Sequence, residues 1–236
     1  MTYVISDLHG MYADYCAMLK KIRFCSEDRL YILGDICDRG PDTVPLYMDI
    51  MARENVYCIR GNHEEMLLAA LPQTFGYLKK MCDFSAMTGL YDTEIWCACG
   101  GDTTRLALFF CEQKTVEEIY SYISDMPYYR SITVGNTEYI MVHAGLDEFS
   151  PEKPLGDYSS EDLVWSRPDF DQRLWPDERK KLIVGHTPTF AFREDRTAEI
   201  YHGKGDIIVV DCGAVFKETG GRLGCLCLET MKEYYI

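Results

Sequence analysis

The chain is short of positive charge. Among its 236 residues, 24 are Lys or Arg against 38 Asp or Glu, a formal net charge of −14, and no Lys/Arg-rich block offsets the excess. A surface of that sign repels a phosphate backbone or an anionic bilayer, so neither nucleic acid nor membrane is an expected partner. Long hydrophobic runs are missing as well: none approaches the ~18–20 apolar residues that span a bilayer. The opening Met1-Thr2-Tyr3-Val4-Ile5-Ser6-Asp7 has neither the charged n-region nor the long apolar h-region of a secretory signal, which makes a cytoplasmic location the expectation. Histidine is scarce, with 5 in all. Cysteine is not: there are 11, an odd number at irregular spacings, which in a reducing compartment read as free thiols. Cys97-x-Cys99 and Cys225-x-Cys227 are spaced more tightly than the usual structural zinc pair, and are read as small buried thiols. With 47% hydrophobic and 26% charged residues the composition excludes wholesale disorder, and residues 1–236 are long enough for one domain with a sizeable core.

One pattern organises the chain. A short apolar run stops abruptly at Gly, Asp or His. It occurs at Tyr3-Val4-Ile5 before Ser6-Asp7-Leu8-His9-Gly10 and at Leu30-Tyr31-Ile32-Leu33 before Gly34-Asp35-Ile36-Cys37-Asp38-Arg39-Gly40. It returns at Val56-Tyr57-Cys58-Ile59 before Arg60-Gly61-Asn62-His63-Glu64, and at Tyr139-Ile140-Met141-Val142 before His143-Ala144-Gly145. The last two are Leu182-Ile183-Val184 before Gly185-His186 and Ile207-Ile208-Val209-Val210 before Asp211-Cys212-Gly213. Apolar runs of this length suit strands buried on both faces. Ligands of layered α/β proteins bind beyond the carboxyl ends of such strands, so these polar motifs are expected to converge on one rim. Helical spacing is read at 11–21, 41–51, 63–71 (ending before Pro72), 102–111 and 115–126, the last opening on a Thr115-Val116-Glu117-Glu118 capping box. Residues 65–127 thus form a mostly helical insert. Gly135-Asn136 between two apolar-rich runs predicts a hairpin, and 223–228 is expected to pair with 233–236.

Four of the histidines, His9, His63, His143 and His186, stand at these strand ends beside Asp7, Asp35 and Asn62. Asp7 and His9 are two apart and point the same way in extended chain. Asp35 can bridge two cations with its two oxygens, and Asn62, His143 and His186 add an amide oxygen and two imidazoles. Nitrogen and oxygen donors without thiolate favour Mn, Fe or Zn. Two such ions clamp an in-line displacement and lower the pKa of water, which points to phosphoester hydrolysis. Arg39 and Arg60 flank the proposed ligands, and the planar guanidinium fork suits phosphate. His63 is placed to protonate the leaving group, with Asp38 to orient it. Cys37, between Asp35 and Asp38, is either a filler or a point of oxidation sensitivity.

The series Asp7-x-His9, Gly34-Asp35-x-x-Asp38-Arg39-Gly40, Arg60-Gly61-Asn62-His63-Glu64, His143-Ala144-Gly145 and Gly185-His186 resembles the calcineurin-like metallophosphoesterases, and within them the bacterial and phage type of serine/threonine phosphoprotein phosphatase. The resemblance runs from Asp7 to about Phe216. It implies an α/β fold with a central β-sandwich flanked by helices, and a two-metal site. Asp7, His9 and Asp35 match the first metal, and Asp35, Asn62, His143 and His186 the second. His63 matches the general acid, Asp38 its partner, and Arg39 and Arg60 phosphate binders. Arg167, in Leu163-Val164-Trp165-Ser166-Arg167, matches a further phosphate-binding arginine. The stretch Cys99-Gly100-Gly101-Asp102 is similar to a Gly-Gly-acid segment of the phage enzymes, and is read as a helix start with Asp102 near the cap.

The expected activity is phosphoserine and phosphothreonine hydrolysis with two manganese ions, on a phosphoprotein or small phosphoester and without a regulatory subunit. Symmetrical diadenosine tetraphosphate hydrolysis is the alternative, because that branch shares nearly all the motifs. An inactive metal-binding scaffold is the remote one, since every matched ligand is present.

Overall fold

The structure, a computed structural model, describes residues 1–80 and 93–236. In chain order its elements are β1 (Thr2–Ile5), α1 (Tyr12–Ile22), β2 (Arg29–Ile32), α2 (Thr43–Met51), β3 (Val56–Cys58), α3 (Asn62–Thr74), α4 (Thr93–Trp96), α5 (Asp102–Phe109) and α6 (Gln113–Ser124). There follow β4 (Tyr129–Val134), β5 (Thr137–Val142), α7 (Ser160–Trp165), β6 (Lys180–Val184), α8 (Thr189–Phe192), β7 (Tyr201–His202), β8 (Ile207–Val209), β9 (Gly224–Cys227) and β10 (Lys232–Tyr235). Among the described residues no helix is long and apolar enough to cross a membrane.

Two mixed sheets result, ordered β10-β9-β1-β2-β3 and β4-β5-β6-β8-β7. In the first, β1, β2 and β3 run parallel and β9 and β10 close the edge antiparallel. In the second, β5, β6 and β8 run parallel between the antiparallel edges β4 and β7. Alternate residues of each strand serve different layers, as the period of two demands. Val4, Leu33, Met141, Ile183 and Ile208 meet between the sheets. Tyr3, Ile5, Leu30 and Ile32 face the helical layer of α1, α2, α3 and α6. Ile140, Val142, Leu182, Val184, Ile207 and Val209 face a second outer layer built on Leu163, Phe170 and Trp175. Each central strand is buried on both sides, which is why its sequence reads as an unbroken apolar run.

The hairpin β4–β5 turns at Gly135-Asn136, between the paired residues Val134 and Thr137, and β9 pairs with β10. Helix limits differ from expectation by one to three residues, and at two of them the cause is visible. Helix α3 passes Pro72 and ends at Thr74. Proline removes the N–H that would reach the Leu68 carbonyl, and the Tyr120 hydroxyl donates to that carbonyl instead, at 3.3 Å. Helix α6 begins at Gln113, before the expected Thr115 capping box. Glu112 takes the extended N-cap conformation, and Thr115 N–H is already bonded to its carbonyl at 3.0 Å. Val116, Ile119, Tyr120 and Ile123 then fall on one buried stripe.

Candidate active site

The parallel strands β1, β2, β3, β5, β6 and β8 deliver their following residues to one rim. Their loops are taut. Asp7, His9, Asp35, Asp38, Arg39 and His186 all adopt positive φ, between 42° and 71°, a region that non-glycine residues enter at a cost of order 1–3 kcal/mol and that clusters at functional sites. Gly34, at φ 86°, lets the end of β2 touch the end of β3: a Cβ there would lie 2.6 Å from Gly61 N and 2.9 Å from His143 Nδ1. At Gly185 a Cβ would overlap the side chains of Ser6 and Asp7.

Asp35 is the centre. Its Oδ2 lies 3.7 Å from His9 Nε2 and 3.9 Å from His63 Nε2, and its Oδ1 lies 3.4 Å from His143 Nε2. Ligand atoms of His9, Asp35 and His63 lie within 4.8 Å of one another, as do those of Asp35, His143 and His186. Asn62 Oδ1 joins the second group, 2.9 Å from His143 Nε2 and 3.0 Å from His186 Nδ1. His9 Nδ1 donates to the Cys37 carbonyl at 2.8 Å and His143 Nδ1 to the Leu33 carbonyl at 2.7 Å. Each backbone bond fixes the tautomer that leaves Nε2 as a lone pair facing Asp35. Asp7 is turned toward β6: it accepts His186 N–H at 3.0 Å and bonds the Ser6 hydroxyl. In the tight group around His9 the third place therefore goes to His63. Asp7 and Asp35 are both buried carboxylates and repel each other.

The electrostatics follow from burial. It pushes Asp7 up and Asp35 well up, the latter further raised by Asp7 and Glu64. It pushes His9 well down, and His186 down to about 2, with the neighbouring Arg167 acting the same way on His186. Proton-hungry buried carboxylates beside neutral imidazoles whose lone pairs converge are a donor set that suits divalent cations. Asp7, His9, Asp35, Asn62, His143 and His186 fit that use.

Beside this cluster His63 Nδ1 donates to Asp38 Oδ2 at 2.7 Å, with both side chains buried. Burial lowers the His63 pKa, but the Asp35 and Asp38 carboxylates outweigh it and the group stands above its ordinary value. Arg39 reaches over the same ring: Nη1 lies 2.7 Å from His9 Nε2 and Nη2 lies 2.9 Å from His63 Nε2. Arg167, near enough to depress His186, lines a cavity of about 780 Å³ with Thr187, Phe192 and Tyr201.

Arg60 is placed elsewhere. Its Nη1 donates to Glu65 at 2.7 Å and to the Tyr128 hydroxyl at 3.0 Å, and its Nη2 to the carbonyls of Ile123 and Ser124. Its guanidinium is committed to the carboxyl end of α6, where carbonyls lack helical partners, and not to the rim. Cys37 is also no reactive thiol. It is buried, its Sγ lies 3.5 Å from Glu64 Oε1, and burial with the surrounding carboxylates pushes it well up. No metal-ligating cluster among the described residues contains cysteine.

Glu64 was given no role by its sequence context, yet it ties the rim together. Its Oε2 accepts the N–H groups of Asp35 and Gly61 at 2.8 and 2.9 Å, and its Oε1 those of Ile36 at 2.8 Å and the Tyr47 hydroxyl at 3.0 Å. Glutamate three residues into a helix after Gly61 was the available signal. Asp211 likewise carries no role in its sequence context. It is buried, bonds Gly213 N–H at 2.7 Å, and is raised well above its ordinary value by burial and then Asp7.

The chain has counterparts among known proteins. The family model of the calcineurin-like phosphoesterases matches residues 2–213. The chain belongs to the calcineurin-like phosphoesterases. This phosphoesterase is 25% identical to serine/threonine-protein phosphatase 1 of Salmonella typhimurium over 94% of its own length and 88% of the relative's. It is 24% identical to the symmetrical bis(5'-nucleosyl)-tetraphosphatase of Cellvibrio japonicus, over 97% and 96%. Its fold matches that of a putative diadenosine tetraphosphatase with a TM-score of 0.66 at 20% identity, covering 100% of this chain and 92% of the other.

Proposed function

We propose that this phosphoesterase is a two-metal phosphomonoesterase whose substrates are phosphoserine and phosphothreonine in proteins. Asp35 carries the reading: one buried carboxylate turns Oδ2 toward His9 and Oδ1 toward His143, with a proton donor beside it. Asp7, His9 and Asp35 would hold one divalent cation, and Asp35, Asn62, His143 and His186 the other, with manganese the first choice for this nitrogen and oxygen donor set and iron or zinc its competitors. When bound, the pair supplies Lewis acidity toward the phosphoryl oxygens and lowers the pKa of attacking water.

The chain's own residues do the rest. Arg39 and Arg167 grip the phosphoryl oxygens. An anionic phosphoryl group draws the Arg39 donors away from His63 Nε2, which then carries the proton favoured by Asp35 and Asp38. His63 delivers that proton to the leaving oxygen while Asp38 holds the ring by Nδ1. The helices between β3 and β4 are read as an insert within one domain. The ten described cysteines are free, and a cytoplasmic location is part of the proposal.

The second reading, symmetrical dinucleoside tetraphosphate hydrolysis, is favoured by the near full-length Cellvibrio japonicus relative. A panel with manganese separates them: a phosphoserine peptide, diadenosine tetraphosphate and an aryl phosphate. Turnover of the peptide over the dinucleotide is expected, and the reverse preference overturns the phosphatase reading. For the acid, His63→Ala should lower kcat on the phosphoserine peptide about 10²–10⁴-fold, the usual range for general acid catalysis, and far less on the aryl phosphate. Equal losses would remove His63 from that role.

A further inference from the structure

The Gly-Gly-acid stretch of the sequence does more than begin a helix. Cys97–Gly101 form a kinked turn between α4 and α5, broken at Gly100, and segment 96–104 closes over the loop that carries Asp38 and Arg39. Trp96, wholly buried, donates its indole N–H to Asp38 Oδ2 at 2.8 Å, the same oxygen that accepts His63 Nδ1–H. Asp38 Oδ1 is buried and has no hydrogen-bond partner among the described residues. Thr104 Oγ1 accepts Asp38 N–H at 2.8 Å. The Gly100 carbonyl accepts Arg39 N–H at 2.9 Å, and the Cys99 carbonyl accepts Arg39 Nε–H at 3.5 Å. The two glycines make this approach possible. Gly100 has φ 103°, and a Cβ there would lie 2.7 Å from Arg39 Cγ. At Gly101 a Cβ would overlap the Trp96 indole.

We propose that segment 96–104 positions the acid pair and Arg39, with Trp96 as the positioning residue that fixes Asp38 Oδ2 against His63 Nδ1. A carboxylate held by one donor can turn about its last bond and offer either oxygen. Two N–H donors converging on Oδ2 remove that freedom, and Thr104 fixes the backbone beneath it. The His63 ring is then held with Nε2 toward the rim, under the guanidinium that the same segment holds by its carbonyls. Trp96 touches no reacting atom in this scheme and acts through Asp38. The inference rests on the reading of His63 as the general acid.

The test compares wild type, His63→Ala and Trp96→Phe with manganese on a phosphoserine peptide and on p-nitrophenyl phosphate. Phenylalanine keeps most of the buried ring and removes the donor. The expected loss for Trp96→Phe is on the order of 10-fold in kcat on the peptide, the worth of one hydrogen bond to a charged group, and several-fold smaller on the aryl ester, whose leaving group needs little help from an acid. Equal losses on both esters, with His63→Ala still selective, overturn the positioning role and leave the acid reading intact. Non-selective losses in His63→Ala overturn both. A second readout needs no turnover: the downfield proton resonance of His63 Nδ1–H should shift in Trp96→Phe, and an unchanged resonance also refutes the proposal. If Trp96→Phe does not fold, Thr104→Val, which removes the acceptor for Asp38 N–H at nearly constant volume, carries the same expectations and the same refutations.

Discussion

Replacing Glu64 by glutamine should unfasten the rim without altering any residue assigned to metal or substrate. The carboxylate receives Asp35 and Gly61 N–H on Oε2, and Ile36 N–H and Tyr47 O–H on Oε1, where Cys37 N–H and S–H add longer contacts. Glutamine keeps one oxygen. Whichever it keeps, the amide nitrogen turns its own hydrogens toward the other pair of donors. Two bonds to a charged acceptor are lost, each worth about 1.5–3 kcal/mol, so stability should fall by roughly 3–6 kcal/mol, near the top of the range for single substitutions. Against a typical total of about 5–15 kcal/mol the variant is expected to fold, with a much lower urea midpoint.

The pH dependence adds a signature. Burial pushes Glu64 up, but the N–H groups of Gly61, Ile36 and Asp35 outweigh it and hold the group below its ordinary value. A carboxyl depressed in the folded state contributes stability that is fully present above its unfolded pKa of about 4.3 and is lost as pH falls through the folded value. The gap between wild type and Glu64→Gln should therefore be full at pH 7 and shrink in acid, where a protonated Glu64 resembles the amide. Urea titrations followed by circular dichroism in the presence of chelator measure it. A difference below about 0.5 kcal/mol at pH 7, the level of a neutral surface substitution, would refute the clamp, as would a gap that does not close in acid.

Arg60→Ala should cost roughly 1.5–3 kcal/mol, the worth of a charge-assisted hydrogen bond in a pair that is only partly buried, while kcat/KM of the folded fraction stays near wild type; a catalytic defect without loss of stability would return Arg60 to the phosphate site. Arg167→Ala should lower kcat/KM on the order of 10-fold, as expected for one charge-assisted contact, at unchanged Tm, and unaltered kinetics would remove it from the rim. Chelation should abolish activity and manganese restore it. The metal should also raise thermal stability, by about 2.7 kcal/mol at a hundredfold excess over Kd, and activity that survives exhaustive chelation would rule the mechanism out.

Much of the fold could be read in advance because strands buried on both faces leave unbroken apolar runs, and Val4, Leu33, Met141, Ile183 and Ile208 have partners between the sheets for that reason. The candidate ligands were legible because each follows such a run at a fixed, short distance. What was not legible depends on contacts between distant segments. Pro72 reads as a helix stop until Tyr120, 52 residues away in sequence from Leu68, bonds the orphaned carbonyl. Arg60 stands beside Asn62 in sequence, but its guanidinium is drawn to Glu65 and to carbonyls more than 60 residues on. Trp96 and Thr104 look like ordinary residues of a helical region, and only folding brings them onto Asp38. Glu64 was within reach, since its place three residues into a helix after glycine is a capping position; that it also gathers the β2 loop was not.

The central claim is that Asp35 is shared by two cations. Metal analysis of the manganese-loaded protein, set beside Asp35→Asn, tests it most directly. Two manganese ions per chain in the wild type, and loss of both in a variant that remains folded, are the expected result. A single ion in the wild type, or two retained by Asp35→Asn, would contradict it.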